Sequence, residues 1–469
     1  MPRSETLVPA RMRRVAIVAS GRRLRDALAE VADAGTVELS GALAPAAGEA
    51  VEALRRLERT AGRGLDGASR PRLRRRAPDV AELERRGERE LLAGEVALHQ
   101  RAERAVAHDG FALLAGWTPQ RELGALRERL SAVGAGLVEL ATPRGETPPT
   151  LLVPARVARP FRLLVETYGA VPYGDVDPTP FAAPIFFLMF GMMFGDAGDG
   201  LLLIAAGLLL RRARDPRLAA ARRLWAFPAV AGACAVVFGL LYGEFFGPTG
   251  IVPVLWLNPL DHPTTLLLIG AAIGVVLLLG AHALGVVNRL REQGPSAALL
   301  TPSGVAGLLV LVGGVLLVAG LAYAPELAVA GAAVVAAGAL LLYAGFRAES
   351  PSGALGVLQR LIELFDALLR TGSNVLSFTR LAAFGLMHAA IGEVVVDGTR
   401  ALAGSPAGYV AAALLFALGS ALAFALETLV VGVQALRLEY YELFSRVFVE
   451  EGRPFRPWSI PLLADEEAP

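Results

Sequence analysis

The stretch from Gly372 to Val396 reads GSNVLSFTRLAAFGLMHAAIGEVVV, and it is apolar and long enough to cross a bilayer as a helix. It carries Arg380, His388 and Glu393. A guanidinium near the middle of a membrane helix costs roughly 2.5 to 3.5 kcal/mol on insertion scales, so it is kept only against a compensating partner. We therefore interpret Arg380 as functional. The alternative is an arginine that snorkels to a headgroup, which the apolar run LAAFGLMHAAIG after it disfavours.

A second apolar segment, Tyr409 to Phe444, supplies polar groups that could face Arg380. It holds Glu427, Gln434 and Arg437, whose spacing of seven and then three residues places them along one stripe of a helix. A helix end that surfaces among headgroups would explain Arg437, because further polar residues follow at once. It would leave Glu427 unexplained.

These segments carry a resemblance. SFTRLAAFGLMHA at 377–389 and ETLVVGVQALRLEYYELFSRVFVEEGRPFRP at 427–457 closely resemble the C-terminal part of the membrane stator subunit, a or I, of archaeal and bacterial V/A-type rotary ATPases. DPTPFAAPIFFLMFGMMFGDAGDG at 177–200 and LYGEFFG at 241–247 agree with that family too. The N-terminal third resembles it through FALLAGWTP at 111–119, and this cytoplasmic domain is unusually short for the family.

The resemblance implies a stator subunit that couples proton or sodium transport to ATP synthesis or hydrolysis. It would provide ion half-channels and essential arginines at the interface with a rotating proteolipid ring. The residues that the resemblance assigns to ion translocation are Arg380, Arg437, Gln434, Glu427, His388, Glu393 and Glu244. The two arginines would force each passing ring carboxylate to ionise, the glutamine would orient them, and the others would line access paths, with Glu244 at the outer mouth. The other implied partners are peripheral stalk subunits, a central stalk or ring-adaptor subunit and, indirectly, the soluble ATPase head.

Composition places the chain in a membrane. Of its 469 residues, 54% are hydrophobic, and the mean hydropathy is +0.51, too apolar for a soluble globular protein. The single cysteine, Cys234, excludes a disulfide framework. The start, MPRSETLVPARMRRVAIVASGRR, has no apolar run of signal-peptide length, so we expect this end to stay in the cytoplasm.

The residue types disfavour chemistry of the chain's own. All 45 basic residues are arginine, so no GxxxxGK[ST] phosphate loop can occur. The basic run RPRLRRR at 70–76 lacks interleaved aromatic residues and is more typical of contact with headgroups or a partner protein than with nucleic acid. We expect no cofactor, no metal and no catalytic site, which agrees with the non-catalytic subunit of an ion-translocating complex that the resemblance implies. Five histidines without metal-ligand spacing support this: His99, His108, His262, His282 and His388.

The pattern predicts a mainly α membrane protein with a small N-terminal α/β and helical-hairpin cytoplasmic domain. The membrane part is expected to be a bundle of about eight transmembrane helices, two of them long and tilted. Predicted domains are a stalk-binding arm at 1–148, a linker at 149–180, a translocating domain at 181–458 and an acidic tail at 459–469. The arm is predicted to contain strands at Arg14–Ser20 and Phe111–Trp117, helices at Arg22–Val31 and Pro119–Ala132, and a hairpin of Glu49–Arg59 with Asp79–Ala107.

Seven apolar runs suggest spans: Phe181–Arg211, Trp225–Phe246, Thr264–Val287, Val305–Tyr323, Leu327–Phe346 and the two segments described above. The loop Arg211–Arg223 carries six arginines and should lie in the cytoplasm with both termini. The first run must then be a hairpin of two short helices that bends at Gly195–Gly200. Asp196 and Asp199 mark this helix break, which a membrane tolerates only inside protein or beside water. The membrane is expected to be the inner, or plasma, membrane.

Two other classes explain part of this pattern. A self-contained secondary transporter would use similar buried charges, but it usually shows paired broken helices in two similar halves. Only the first half here has a Gly-Asp break. A purely structural anchor leaves two intramembrane arginines without a purpose.

Overall fold

The structure is a computed structural model that describes residues 9–41, 47–60, 70–143, 145–152, 159–347, 350–448 and 452–463. The chain folds into two compact units. The small unit comprises the described parts of Pro9–Val153 and Gly452–Pro469, and the membrane unit those of Pro154–Glu451. The small unit thus takes residues 452–458, which were expected in the membrane domain. The acidic end of the expected tail, 464–469, and linker residues 153–158 lie outside the described residues.

The small unit is built on an antiparallel sheet. Its elements are β1 (Met12–Ser20), α1 (Leu24–Ala34), β2 (Glu38–Leu39), α2 (Glu49–Thr60), β3 (Leu73–Arg74), α3 (Val80–Arg86), α4 (Arg89–Ala102), β4 (Val106–His108), β5 (Phe111–Pro119), α5 (Leu123–Ala132), β6 (Gly136–Leu140) and β7 (Leu462–Leu463). The sheet order is β2-β5-β1-β6, with β4 also on β5, while β3 and β7 pair separately in parallel. The predicted first strand, first helix, FALLAGWTP strand and following helix are confirmed.

Alternation along β1 places Val15 and Ile17 in the core, where α1 and α5 cover them. The C-terminal segment completes this core. Ile460 is 2% exposed, and its N–H donates to the carbonyl of Ala32 at 3.0 Å. Burying one isoleucine side chain stabilises by roughly 1.5 to 3 kcal/mol, which explains why a segment so distant in sequence belongs to this unit.

The predicted helical hairpin is present in altered form. α2 packs on α3 and α4 through Ala53, Leu83, Leu91 and Leu92. The expected second helix is broken at Gly87, whose φ of +68° terminates α3. The prediction of helix as far as Ala107 was wrong, since residues 106–108 pair with β5 and cross-strand bonds replace helical ones.

Three of the five arginines in the basic run RPRLRRR form ion pairs within the unit. Arg72 contacts Glu90 at 3.1 Å, Arg74 contacts Glu88 at 3.1 Å and Arg75 contacts Glu30 at 3.0 Å. Carboxylates from neighbouring helices therefore offset much of its positive charge.

The membrane unit is helical. Its helices are α6 (Arg162–Tyr168), α7 (Thr179–Met193), α8 (Ala197–Arg212), α9 (Ala219–Arg222), α10 (Ala226–Tyr242), α11 (Pro263–Glu292), α12 (Pro295–Leu300), α13 (Val305–Tyr323), α14 (Pro325–Phe346), α15 (Ala354–Ser377), α16 (Thr379–Leu402), α17 (Pro406–Arg437) and α18 (Ser445–Val447), with a π-helical segment at Leu438–Phe444. In the described chain, five helical stretches are long and apolar enough to cross a membrane, and α7 and α10 are shorter apolar helices. The fold class is as predicted, whereas the helix count agrees only roughly.

Two helix boundaries determine where Asp196 and Arg380 lie. The run Phe181–Arg211 is interrupted after Met193, and α8 begins at Ala197, so the predicted break at GDAGDG is confirmed. The segment Gly372–Val396 was expected to form one helix, and this prediction was wrong, because Phe378 separates α15 from α16. Arg380 therefore lies in the first turn of α16.

Glycines at seven-residue spacing bring helices into backbone contact. On α8 and α10, a Cβ added at Gly200 would lie 2.7 Å from the carbonyl oxygen of Gly232, and one at Gly239 would lie 2.1 Å from the Ala197 nitrogen. Gly313 and Gly320 on α13 approach α14 in the same way. Small residues allow such approach, and close packing drives helix association where no hydrophobic effect acts.

We expect Gly232→Leu to lower the temperature at which half of the full-length protein aggregates in detergent by roughly 5 to 10 °C. A Cβ there would lie 2.4 Å from the Gly200 carbonyl oxygen, and backbone cannot move aside as a side chain would. Gly280→Leu is the matched control on α11, since nothing lies within 4 Å of its added Cβ. Equal behaviour of the two variants in heated size-exclusion runs would contradict this packing.

The segment before α7 docks on the end of α11. The side-chain oxygen of Asn288 accepts from the Val176 N–H at 3.1 Å, and its amide donates to the Val447 carbonyl at 3.2 Å. Asp175 is fully buried beside Glu292, which Arg289 contacts at 2.7 Å. Burial first, and then the hydrogen bond and charge of Glu292, raise the pKa of Asp175 to about 8, against the opposing charges of Arg289 and Arg291.

This pKa predicts a loss of stability with rising pH. Because the folded state holds the Asp175 proton more tightly than the unfolded chain, the stabilisation is complete below about pH 4 and declines as pH approaches 8. Asp175→Asn cannot ionise, so it should not share the parent's loss of stability as pH rises. The thermal midpoint of the variant minus that of the parent should therefore increase from pH 5 to pH 9. The exposed Asp261→Asn is the control. Parallel pH profiles for the parent and Asp175→Asn would refute the prediction.

Candidate functional site

Asp196 organises the interruption between α7 and α8. Its side chain is fully buried and accepts hydrogen bonds from three backbone N–H groups: Asp199 at 3.0 Å, Phe246 at 2.9 Å and Gly247 at 2.7 Å. The first bond caps α8, and the other two hold the loop that follows α10. A carboxylate thus satisfies donors that an apolar membrane interior would leave unpaired.

The loop after α10 presents Glu244 to α16. Its backbone is tied to α8, because the Ala197 N–H donates to the Glu244 carbonyl at 3.0 Å. Farther along, a Cβ at Gly247 would lie 2.9 Å from the Cα of Gly392, so the loop touches the α16 backbone. Gly392 lies one turn beyond His388. This contact therefore places Glu244 beside the imidazole.

His388 is the centre of a buried polar cluster, which we define as Asp196, Glu244, His388 and Glu427. Nδ1 of His388 is hydrogen-bonded to Oε2 of Glu427 on α17. Nε2 lies 3.7 Å from Oδ2 of Asp196 and 3.6 Å from Oε2 of Glu244. All four residues are at most 5% exposed. The cluster holds three acids and one imidazole, so it has a deficit of positive charge.

The cluster has apolar and polar walls. The Phe194 ring lies 5.4 Å from the His388 ring. On another side is a cavity of about 20 Å³, bordered by Asp199, Ser420 and Glu427 among others. That volume is about the size needed for one water molecule. Asp199 is buried, and its Oδ1 has no hydrogen-bond partner among the described residues.

The predicted arginines lie elsewhere along the same helices. Arg380 precedes His388 by about 12 Å along α16, and Arg437 follows Glu427 by about 15 Å along α17, at about 1.5 Å per residue. Arg380 is half-buried, and its nearest charges include Arg437 and Glu442. Within the described chain, neither guanidinium has a carboxylate within 4.0 Å. Gln434 is half-buried, and its Oε1 has no partner there.

The structure regroups the predicted site residues. It brings together His388, Glu427 and Glu244, and Glu244 is buried among them. Glu393 is exposed and apart from the cluster. Asp196, interpreted from sequence as a helix break, also belongs to the cluster. The sequence feature that could have indicated this second role is an acid at a helix start within an apolar run.

A helical unit with five stretches long and apolar enough to cross a membrane, a helix broken around a buried carboxylate and ionisable groups in its interior has the features of a multi-pass membrane protein. Residues 105–250 match the model of the V-type ATPase 116kDa subunit family. They include both Asp196 and Glu244. The chain belongs to this family.

The relatives agree with this assignment. The chain is 30% identical over 406 residues to the A-type ATP synthase subunit I of Aeropyrum pernix, a match that covers 74% of this chain and 57% of that protein. It is 30% identical over 404 residues to the subunit I of Archaeoglobus fulgidus, covering 74% and 58%. A V-type ATP synthase subunit I of Treponema pallidum is 40% identical over 144 residues, or 28% of this chain and 32% of that protein. The chain thus spans less than two thirds of the two archaeal relatives.

Replacing Asp196 tests its role in holding the helix break. Asp196→Ala leaves three backbone donors without an acceptor, at about 1 to 3 kcal/mol for each one that stays buried. We expect a lower thermal midpoint and faster proteolysis in the 243–250 loop. Asp215→Ala is the control, because Asp215 accepts from the Arg217 N–H in an exposed turn where water can replace it. Comparable stability of both variants would show that Asp196 does not hold the break.

Proposed function

We propose that the chain is the membrane stator subunit of a V/A-type rotary ATPase, which moves protons or sodium ions between its own helices and a rotating proteolipid ring. One observation carries this proposal. Two arginines at the end of the α16 and α17 pair have no carboxylate partner within the described chain. A cation at membrane depth requires compensation, and a carboxylate on a second subunit would supply it.

The surface beside these arginines suits such a partner. α17 is largely uncovered and exposes an apolar stripe at spacings of three and four residues. Its members are Leu414, Leu418, Leu422, Leu426, Leu429 and Val433. Helices of a proteolipid ring could pass along this stripe, and each ring carboxylate would then meet Arg380 and Arg437. Arginine suits the task because it stays charged where a desolvated lysine could lose its proton.

The buried cluster supplies one half of the ion path. Its three acids exceed its single histidine, so uptake of a proton or cation would offset their repulsion. It is separated from Arg380 by about 12 Å along α16, which leaves room for a ring carboxylate between the loading point and the arginine. Glu393 would lie at the exposed rim of this path, and Gln434 would orient the arginines.

A second polar group, close to the arginines, would supply the other half of the ion path. Asn374 on α15 contacts Glu442 at 2.9 Å and Arg446 at 2.6 Å when its amide is oriented to satisfy both. Glu442 is also among the charges nearest Arg380. A carboxylate there could pass an ion released at the arginines onward.

The rest of the assignment follows from charge and family. The six-arginine loop at Arg211–Arg223 and both termini would face the cytoplasm, across the plasma membrane. The small unit would bind the peripheral stalks, and a ring adaptor would connect the ring to the soluble ATPase head. The subunit itself would carry no catalytic site.

Arg380→Lys is the decisive substitution. If Arg380 drives ring carboxylates to ionise, the variant should lose at least about nine tenths of ATP-coupled ion transport in membranes, because 1.4 kcal/mol in the rate-limiting barrier is a tenfold loss. Arg380→Ala should be at least as severe. A residue that merely snorkels would tolerate lysine.

Arg400→Lys is the matched control, an exposed arginine on the same helix that pairs with Asp397 at 3.3 Å. It should transport at the parental rate. Transport by an assembled Arg380→Lys complex at more than about half the parental rate would disprove the role of Arg380.

A further inference from the structure

The second ring nitrogen of His388 is left in an unusual setting. Nε2 has no hydrogen-bond partner among the described residues, although Asp196 and Glu244 flank it. Nε2 lies 3.7 Å from the Asp196 oxygen and 3.6 Å from the Glu244 oxygen. Both distances exceed the range of about 2.7 to 3.2 Å that is usual for an N–H···O hydrogen bond. Both oxygens of Glu244 also lack a partner there. Three buried groups thus point at one another without direct contact.

Each of these two separations, from Nε2 to Asp196 and from Nε2 to Glu244, suits a pair of ligand atoms bound to the same metal ion. With metal–ligand bonds of about 2.1 Å, ligand atoms about 3.6 Å apart subtend an angle of roughly 120° at the metal, within the range of a distorted tetrahedral zinc site. Within the described chain, Asp196, Glu244 and His388 have one ligand atom each within 4.8 Å of the others. Oδ2 of Asp196 accepts one bond from the Gly247 N–H and retains a lone pair.

The other ring nitrogen of His388, Nδ1, also has the partner expected for a histidine that ligates zinc. A histidine that ligates zinc typically donates its remaining N–H to a carboxylate, which fixes the tautomer. Nδ1 of His388 has this partner in Glu427. With the proton held on Nδ1, the lone pair of Nε2 faces the two carboxylates. Imidazole with two carboxylates favours Zn²⁺ over magnesium or calcium, which prefer all-oxygen sites.

We propose that Asp196, Glu244 and His388 bind Zn²⁺, with Glu427 as the outer carboxylate and a fourth position left open. The expected consequence rests on the proposed function. A bound divalent ion would occupy the cluster from which protons or sodium ions pass, and would fix His388 in one protonation state. Zn²⁺ would therefore inhibit ion transport from within the path. Spacing in the sequence could not reveal the site, because its ligands come from three separate elements.

Binding is tested on the full-length chain in lipid nanodiscs with Co²⁺ as a spectroscopic probe and Zn²⁺ as its competitor. We expect one Co²⁺ per chain with the visible absorption of a low-coordinate site, abolished by Zn²⁺. Glu244→Gln and His388→Gln should each weaken binding at least tenfold, and Glu427→Gln should weaken it to a smaller extent. Each variant is compared after its elution profile and thermal midpoint match those of the parent.

His99→Gln and His282→Gln are the controls. His99 forms an exposed pair with Glu103 at 3.2 Å, and His282 is buried on α11 with Nδ1 near the Leu278 carbonyl. Both variants should bind the metal like the parent. No stoichiometric Co²⁺ signal, or a signal that survives in both Glu244→Gln and His388→Gln, would overturn the inference.

Transport measurements separate this inference from the function on which it rests. Micromolar Zn²⁺ should inhibit coupled transport by the assembled parent complex. If Arg380→Lys transports normally while the chain binds Co²⁺ as described, the proposed role of Arg380 in ion release fails and the metal site stands. If Arg380→Lys is inactive and the chain binds no Co²⁺, the metal site fails and the function stands.

Discussion

Breaking a helix inside a membrane unit leaves backbone N–H groups that no water can satisfy, and a single buried carboxylate compensates for this break. Asp196 accepts from Asp199 at the start of α8 and from Phe246 and Gly247 in the loop after α10. Two pieces of chain about 50 residues apart are thereby held together, as the separations of these partners show. The position of Glu244 beside His388 depends on that attachment.

Polar groups can be held this closely only within a rigid frame. Glycines on α8 and α10 bring the two backbones into direct contact, and Gly247 meets Gly392 at the point where the loop reaches α16. At these contacts any side chain would separate the elements. Close packing at these glycines therefore fixes where the loop that carries Glu244 meets α16, and so helps to set the distances around His388.

The membrane unit also separates its charges. The cluster around His388 has more acids than bases, whereas Arg380 and Arg437 have no carboxylate within 4.0 Å among the described residues. The acidic cluster and the two arginines lie at different positions along α16 and α17. Neither can neutralise the other directly over such a distance, so each requires a mobile or external charge. This separation of charge is the observation on which we propose an ion path that ends at another subunit.

Much of this protein could be predicted from its sequence, because the relevant signals are local. Hydropathy identified the apolar runs, Gly and Asp in GDAGDG marked the helix break, and two strands and two helices of the small unit, β1, α1, β5 and α5, were predicted correctly. The identity of His388 and Glu427 as polar residues inside apolar helices was equally evident. Helix boundaries were less predictable, as at Phe378 and Gly87, where a single residue ends a helix that composition would allow to continue.

Only the tertiary structure decided which of these residues meet. From sequence, Asp196 was interpreted as marking a helix break and Glu244 as lying at the outer mouth of an ion path. Nothing in the local sequence of either residue places it beside His388. Their meeting depends on the backbone bonds of Asp196 and on the contact of Gly247 with Gly392. Likewise, Ile460 joins the small unit because a distant core has room for it. The sequence by itself determined the elements and their chemistry, since these follow from neighbouring residues. The cluster arose only from the fold, since its distances are set by packing between segments far apart in the chain.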